Sequence, residues 1–429
     1  MAATKATQEI KVYGYRWVVL LAYMFISLTM QIFWICYAPI TKVAAATFGV
    51  SDMEIGLLAM LFMYIYIPFS IPASWAIDTW GFKKSVSLGA IMMGVFGLLR
   101  GIFTQNYTLA IIMTIGLAVA QPLFLNSGTK LAANWFPLQE RATIIGIGGM
   151  AGLLGIVIGQ IATPFMLDAW GIGNTMLIYG IIGAISAIIF LIFAKDHPPT
   201  PAGYEERVLM LDGLKHIFQM RDFYLLAFII FVINAIFNGI STWVEVIVRP
   251  KGMDINQAGI IGGLLMIGGI VGFFILPPIS DRTRKRKPVF MIGALLSIPF
   301  LVLTAYVSGF AMLAVVTFLL GLFIMGVIPV ALQYATEICY PAPEGTSMGL
   351  FTLAGQISVV AVTAMGWSNA VYGSFTPSLL VFAVSMVIGV ILLSIMKESK
   401  LIQAAQKTEE PKPTLIPAVQ PSSERKSKR

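Results

Sequence analysis

Nine residues, Gln31 to Pro39, place Phe33, Trp34 and Tyr37 beside the Gln31 amide inside one long apolar run. Ring faces held out of water attract a cation, at about 0.5–2 kcal/mol per ring. The same rings can instead pack helices or form an interfacial belt. Phe237, Asn238 and Trp243 sit in a second apolar run, and Gln121 and Gln356 in two more. Acidic groups are scarce in such runs. Glu245 stands four residues before Arg249, a helical spacing that predicts a local pair at the outer mouth. Attracting cations or gating is its sharper alternative. Glu337 is expected to pair with a basic loop residue, and Arg100, at a helix end, to snorkel.

Other chemistries find little support. There is no Walker loop, no metal-spaced Cys/His set and no nucleophile elbow, which argues against an enzyme, a metal or a cofactor. Cys36 and Cys339 fall near opposite ends of the span, too far apart for a disulfide. Both histidines, His197 and His216, lie in a central link, so a heme site would depend on the 23 methionines, which read as apolar filler. Proton coupling normally needs a buried protonatable relay on the path, and no deep Asp or His relay is evident.

The elements that position these residues follow from hydropathy. A chain of 429 residues with 58% hydrophobic and 11% charged residues cannot hide its apolar surface from water, so lipid must be its solvent. Its mean hydropathy is +0.86. The apolar runs predict an all-α membrane protein with twelve spans, near 16–41, 53–77, 84–104, 107–135, 141–167 and 172–195, then 222–248, 256–278, 288–308, 310–340, 344–371 and 374–397. Domain organisation follows: an N-terminal segment 1–15, six-helix bundles 16–195 and 222–397, a polar linker 196–221 and a basic tail 398–429 expected to be disordered.

With both termini cytoplasmic, every Lys and Arg except Lys42, Arg100, Arg249 and Lys251 falls on the cytoplasmic side, as the positive-inside rule requires. The net charge of +8 then faces anionic lipid of a plasma membrane and implies no nucleic-acid partner.

The two halves repeat. Gly56 answers Gly259 and Asp78 answers Asp281, each 203 residues on, while Pro137 answers Pro341 and Glu140 answers Glu344 at 204. A parallel repeat puts a binding site on the axis between the halves, near the bilayer midplane. The offset sets Phe237 opposite Trp34, and Trp243 one and a half turns beyond Asn238. Helix 1 centres near residue 28, so Trp34 lies roughly 8–9 Å outward of the midplane.

D-x-x-G-x-K-K at Asp78, Gly81, Lys83 and Lys84, its basic echo Asp281–Lys287, and W-F-P-x-x-E-R-A from Trp135 resemble the major facilitator superfamily, with Ser74 where that motif usually has glycine. The resemblance implies two six-helix bundles related by a pseudo-two-fold axis and an alternating-access transporter. Asp78, Lys83, Lys84, Arg141, Asp281 and Glu344 then bridge helix ends on the cytoplasmic face and lock the outward-open state.

F-W-I-C-Y at Phe33–Tyr37, G-V-S-D-M-E-I from Gly49, M-Y-I-Y-I-P from Met63, A-V-A-Q ending at Gln121 and E-I-C-Y-P-A-P-E-G-T-S-M-G-L from Glu337 are similar to the feline leukaemia virus subgroup C receptor-related transporters. That family is associated with choline and ethanolamine, and earlier with heme. The resemblance implies that Trp34 faces a substrate ammonium and that Gln121 and Gln356 line its pocket, Gln31 standing beside Trp34. Asn238 replaces a helix 7 tyrosine of that family, and Gly152-Leu153 an Asn-Gln pair. Tyr37, nearly a turn further out, is left an outer-gate role.

The resulting expectation is a monomeric uniporter of a small organic cation, embedded in membrane lipid. A proton-coupled exporter of amphipathic compounds or heme, and a membrane sensor that transports nothing, are the alternatives.

Overall fold

The structure, a computed structural model, describes residues 12–199, 217–283, 285–339 and 344–398. His216, most of the expected linker, the tail beyond 398 and the Glu344 side chain lie outside the described residues.

Every described element is helical, as lipid demands of chains whose backbone must satisfy its own hydrogen bonds. In chain order they are α1 (Arg16–Ile35), α2 (Thr41–Phe48), α3 (Asp52–Trp80), α4 (Phe82–Ile102), α5 (Tyr107–Leu125), α6 (Gly128–Trp135) and α7 (Leu138–Phe193), followed by α8 (Arg221–Val248), α9 (Ile255–Thr283), α10 (Arg286–Tyr306), α11 (Phe310–Ile338), α12 (Glu344–Ile357), α13 (Val359–Tyr372) and α14 (Thr376–Ile395). Eleven stretches among the described residues are long and apolar enough to cross a bilayer. One of them covers most of α7, where Gly171 at φ 73° turns the chain back between rods 138–170 and 172–193. Left-handed backbone there favours glycine, and the turn makes twelve crossings of the eleven stretches.

Local sequence explains the element ends. Ser51 and Glu54 open α3 with a reciprocal capping box, the Glu54 carboxylate accepting from the Ser51 N–H at 2.7 Å. Asn106 caps α5 through the Leu109 N–H at 3.0 Å. α1 stops at Ile35, and a 3-10 turn carrying Pro39 leads into α2. α12 and α13 are parted at Ser358. Small residues let α9 and α11 cross with backbones touching: a Cβ on Gly272 or Gly326 would overlap the other helix's main chain.

The helix ends carrying Lys83, Lys130, Arg286 and Lys287 form one face, called here the basic end. The loops between α2 and α3 and between α8 and α9 form the opposite, distal end.

Candidate functional site

The two halves close on each other at the distal end. Trp243 of α8 is 1% exposed, and its indole fills a slot whose walls are Gly56 of α3 and Gly366 of α13. A Cβ at either glycine would overlap the ring. The indole Nε1–H donates to the Val362 carbonyl at 3.1 Å, and Phe375 packs against the ring with centroids 5.7 Å apart. On the other side of the axis, the buried Gln160 of α7 donates to the Ser241 carbonyl at 2.9 Å, crossing from one half to the other. Tyr64 and Thr363 share a hydrogen bond of 2.7 Å, and Asn256 donates to Asp168 at 2.6 Å.

An ionic clasp finishes this seal. Arg249 grips Glu245 with two bonds, Nε at 2.8 Å and a terminal nitrogen at 2.5 Å, and donates a third to Asp52 of the other half at 2.9 Å. Glu245 is 3% exposed, so the fork of Arg249 supplies the counter-charge a buried carboxylate needs. The i,i+4 pair was legible from spacing. Asp52 was not, although the Ser51–Glu54 box marks where its helix begins.

Moving inward, Trp34 is 6% exposed and its Nε1–H donates to the Ala59 carbonyl at 3.2 Å. With that donor spent, what Trp34 retains for a ligand is ring face. Gln121 donates to the Gln31 amide oxygen at 3.4 Å, and a Cβ on Gly152 would lie 3.5 Å from the Gln31 side chain. Phe237 is 7% exposed, but it forms no ring pair with Trp34. Asn238, also 7% exposed, donates to the Ser358 hydroxyl at 3.2 Å, where α12 gives way to α13. Gln356 lies half-buried on α12 beside Gly355, and a Cβ on Gly355 would meet the Asn234 amide of α8 at 3.0 Å. Asn234 stands 203 residues after Gln31, so the repeat offset would have found it. The structure thus gathers Trp34, Gln31 and Gln121 in one half, and Phe237, Asn238 and Gln356 in the other. Trp243 belongs to the distal slot.

Tyr37 and Arg100 turn away into the N-terminal bundle. Arg100 is 1% exposed and does not snorkel, which corrects the expectation from its helix-end position. Its guanidinium donates to the Phe33 carbonyl at 3.0 Å, to Cys36 Sγ at 3.2 Å and to Thr114 at 3.4 Å. It lies 5.1 Å from the Phe33 ring centroid and 5.2 Å from that of Tyr37. One carbonyl and one sulfur at the end of α1, together with two ring faces, offset the cost of burying the charge, and no carboxylate pairs with it among the described residues. Tyr37 is 2% exposed with its hydroxyl unpaired, and it packs on Phe48 at 6.0 Å.

At the basic end the ion pairs among the described residues fall within one half or the other. Asp78 lies 3.5 Å from Lys130, and Glu140 2.8 Å from Arg16. The Lys83 N–H donates to Asp196 at 2.9 Å, while the Lys84 side chain is exposed. Arg141 caps α6, donating to the Ala133 and Phe136 carbonyls at 3.0 and 3.2 Å. In the other half Arg286 binds Asp281 and Glu337, the latter at 3.2 Å, and Glu337 also accepts from Gln333 at 3.0 Å. Among the described residues no hydrogen bond or ion pair joins the halves at this end; the expected bridges between helix ends stay within one half.

A chain that crosses the bilayer twelve times in two pseudo-symmetric bundles, drawn together at one end, is built as a membrane transporter. It belongs to the Major Facilitator Superfamily, whose family model matches residues 19–363. Solute carrier family 49 member A3 of Xenopus tropicalis is 32% identical over 371 residues, covering 81% of this chain and 77% of that protein. Choline/ethanolamine transporter FLVCR1 of Felis catus is 27% identical over 408 residues, covering 89% and 72%. Among solved structures, a bacterial homologue of the human lysosomal transporter Spinster, in its inward-facing and unoccupied conformation, superposes with a TM-score of 0.69 at 17% identity, covering 93% of this chain and 98% of its own.

Proposed function

We propose that this transporter carries a small organic cation, choline-like or ethanolamine-like, by facilitative uniport. The observation that carries the reading is the make-up of the middle of the molecule. The level of Trp34 and its repeat mates carries amides and rings in each half, Gln31, Gln121 and Trp34 in one and Phe237, Asn238 and Gln356 in the other, while the acidic residues that the halves do bury are neutralised at the two ends. A quaternary ammonium has no N–H to donate, so ring faces and amide oxygens suit it better than a carboxylate clamp. The relatives named as choline/ethanolamine transporters support the same substrate class.

Alternating access is the motion proposed: bundles 16–195 and 222–397 rock about the site, with the distal seal opening as the basic end closes. With the basic end cytoplasmic in a plasma membrane, an inside-negative potential draws a cation inward, at about 2.3 kcal/mol per charge per 100 mV. Neither a coupling ion nor a second subunit enters the cycle.

Purified protein in liposomes is to be tested by counterflow with choline, ethanolamine, betaine, carnitine and heme, alongside Trp34→Ala. Exchange of an ammonium compound that Trp34→Ala abolishes, in a variant that still elutes as a folded monodisperse species, is the expected result. Exchange untouched by Trp34→Ala sinks the ring-face reading. Exchange that collapses with the pH gradient at clamped potential sinks uniport.

A further inference from the structure

The two halves offer their central amides differently. In the N-terminal half Gln31 and Gln121 bond each other. At the matching position of the C-terminal half, 203 residues on, Asn234 returns its N–H to the Ile230 carbonyl at 2.8 Å, within its own helix. Its Oδ1 makes no hydrogen bond to another described residue, and neither does the Gln356 amide; both side chains are part-exposed. The residue 203 after Gln121 is Ile324, buried and apolar, so this half has no glutamine to answer Asn234.

Those two amides rim a cleft of about 160 Å³ between α8, α11 and α12. Its walls are apolar: Ile230 and Ile233 from α8, Ala331 from α11 and Phe351 from α12, with Thr352 beside them. Concave, mostly apolar space with a few unspent polar groups at its mouth is the make-up of a ligand subsite. Both amides are part-exposed, so water can meet them in the empty cleft, and a ligand entering past them can take over those bonds. The cleft is roomy enough for several methylene-sized groups.

Level and side are set by the helices. Asn234 matches Gln31, three residues on the basic side of Trp34, so at about 1.5 Å per residue it lies roughly 4–5 Å from the proposed ammonium level. That is the reach of a short chain attached to the nitrogen.

We infer that the α8–α11–α12 cleft is a second subsite that takes an apolar extension of the ammonium substrate, with Asn234 and Gln356 at its entrance. The inference rests on the proposed ammonium reading and narrows it to cations bulkier than tetramethylammonium on one side. It makes Asn234, Gln356 and the cleft walls the residues that select among ammonium compounds.

The test measures binding of n-alkyltrimethylammonium ions, from methyl to hexyl, to detergent-purified full-length protein. Thr352→Phe, which fills the cleft, and Val360→Phe, an exposed position outside it, are run beside the wild type. Wild-type and Val360→Phe affinity is expected to rise about fourfold per methylene over the first two or three and then level off. In Thr352→Phe the ratio of butyl to methyl affinity should fall close to one. Should Thr352→Phe misfold, Ala331→Leu fills the same space from α11. Wild-type affinity that is flat from methyl to hexyl overturns the inference, as does a rise that persists in the filled variants. If the tetramethyl ion binds in those cases, the ammonium reading still stands. Failure of every member to bind, tetramethylammonium included, overturns that reading and the inference with it.

Discussion

Gly56 and Gly259 occupy matching places, 203 residues apart, at the distal starts of α3 and α9, yet they receive different partners. Gly56 admits the indole of Trp243 from the opposite half. Gly259 lies against the Gln160 backbone and the Pro164 ring. The position matching Trp243 is Ile40, buried in the 3-10 turn, and the one matching Gln160 is Thr363, which bonds Tyr64. Both notches survive in the repeat because two helices from opposite halves must come close there for the seal to form. What fills each notch has diverged, so the C-terminal half contributes the bulky plug and the arginine, and the N-terminal half the buried amide and Asp52.

That asymmetry can be broken piece by piece. Trp243→Ala carries the largest expected effect, about 3–5 kcal/mol of stability in the distally sealed state. Ile40→Ala, its mate by repeat, should cost less because it removes fewer buried atoms. Thermal melting in detergent compares them, and equal losses would erase the distinction between plug and filler. Arg249→Ala comes next: it strands the Glu245 carboxylate, 3% exposed, at about 3 kcal/mol or more. Glu245→Gln added to Arg249→Ala should restore much of the melting temperature, and if the double variant melts no higher than Arg249→Ala, the buried charge is not the cause.

Gln160→Leu removes the donor to the Ser241 carbonyl and should cost roughly 1–3 kcal/mol. Tyr64→Phe, losing only the hydroxyl bonded to Thr363, should cost about 1 kcal/mol or less. Both should also raise labelling of a cysteine placed in the distal slot, since each loosens contacts between halves; unchanged labelling would confine them to stability. Smallest of all, Asp78→Asn at the basic end should shift melting by less than about 1 kcal/mol, because Asp78 is 63% exposed and its pair with Lys130 spans no seam between halves. A shift as large as that of Arg249→Ala would mean the basic end is tied as firmly as the distal one.

Much of the architecture was readable beforehand. Recurrent apolar runs forecast the spans, and α7 departs from that list only in running two of them together through Gly171. Repeat spacing paired Gly56 with Gly259, both of which lie against the opposite half, and the i,i+4 spacing of Glu245 and Arg249 is the contact the helix makes. Less was readable where partners come from distant elements. Arg100 looked like a snorkelling helix-end residue because its acceptors, Phe33, Cys36 and Thr114, belong to the end of α1 and to α5. Trp243 looked like a candidate for the cation, and its slot is defined by two glycines on α3 and α13.

The division has a physical cause. Lipid forces each crossing to satisfy its own backbone and to be apolar for about 20 residues, so number, length and repeat of the helices are written in the linear chain. A helix that is apolar all round has no polar stripe to say which face turns inward. Rotation of each helix, and with it the choice between slot, cleft and bundle core for Trp243, Asn234 and Arg100, is decided only when close packing of neighbouring helices selects one face over another.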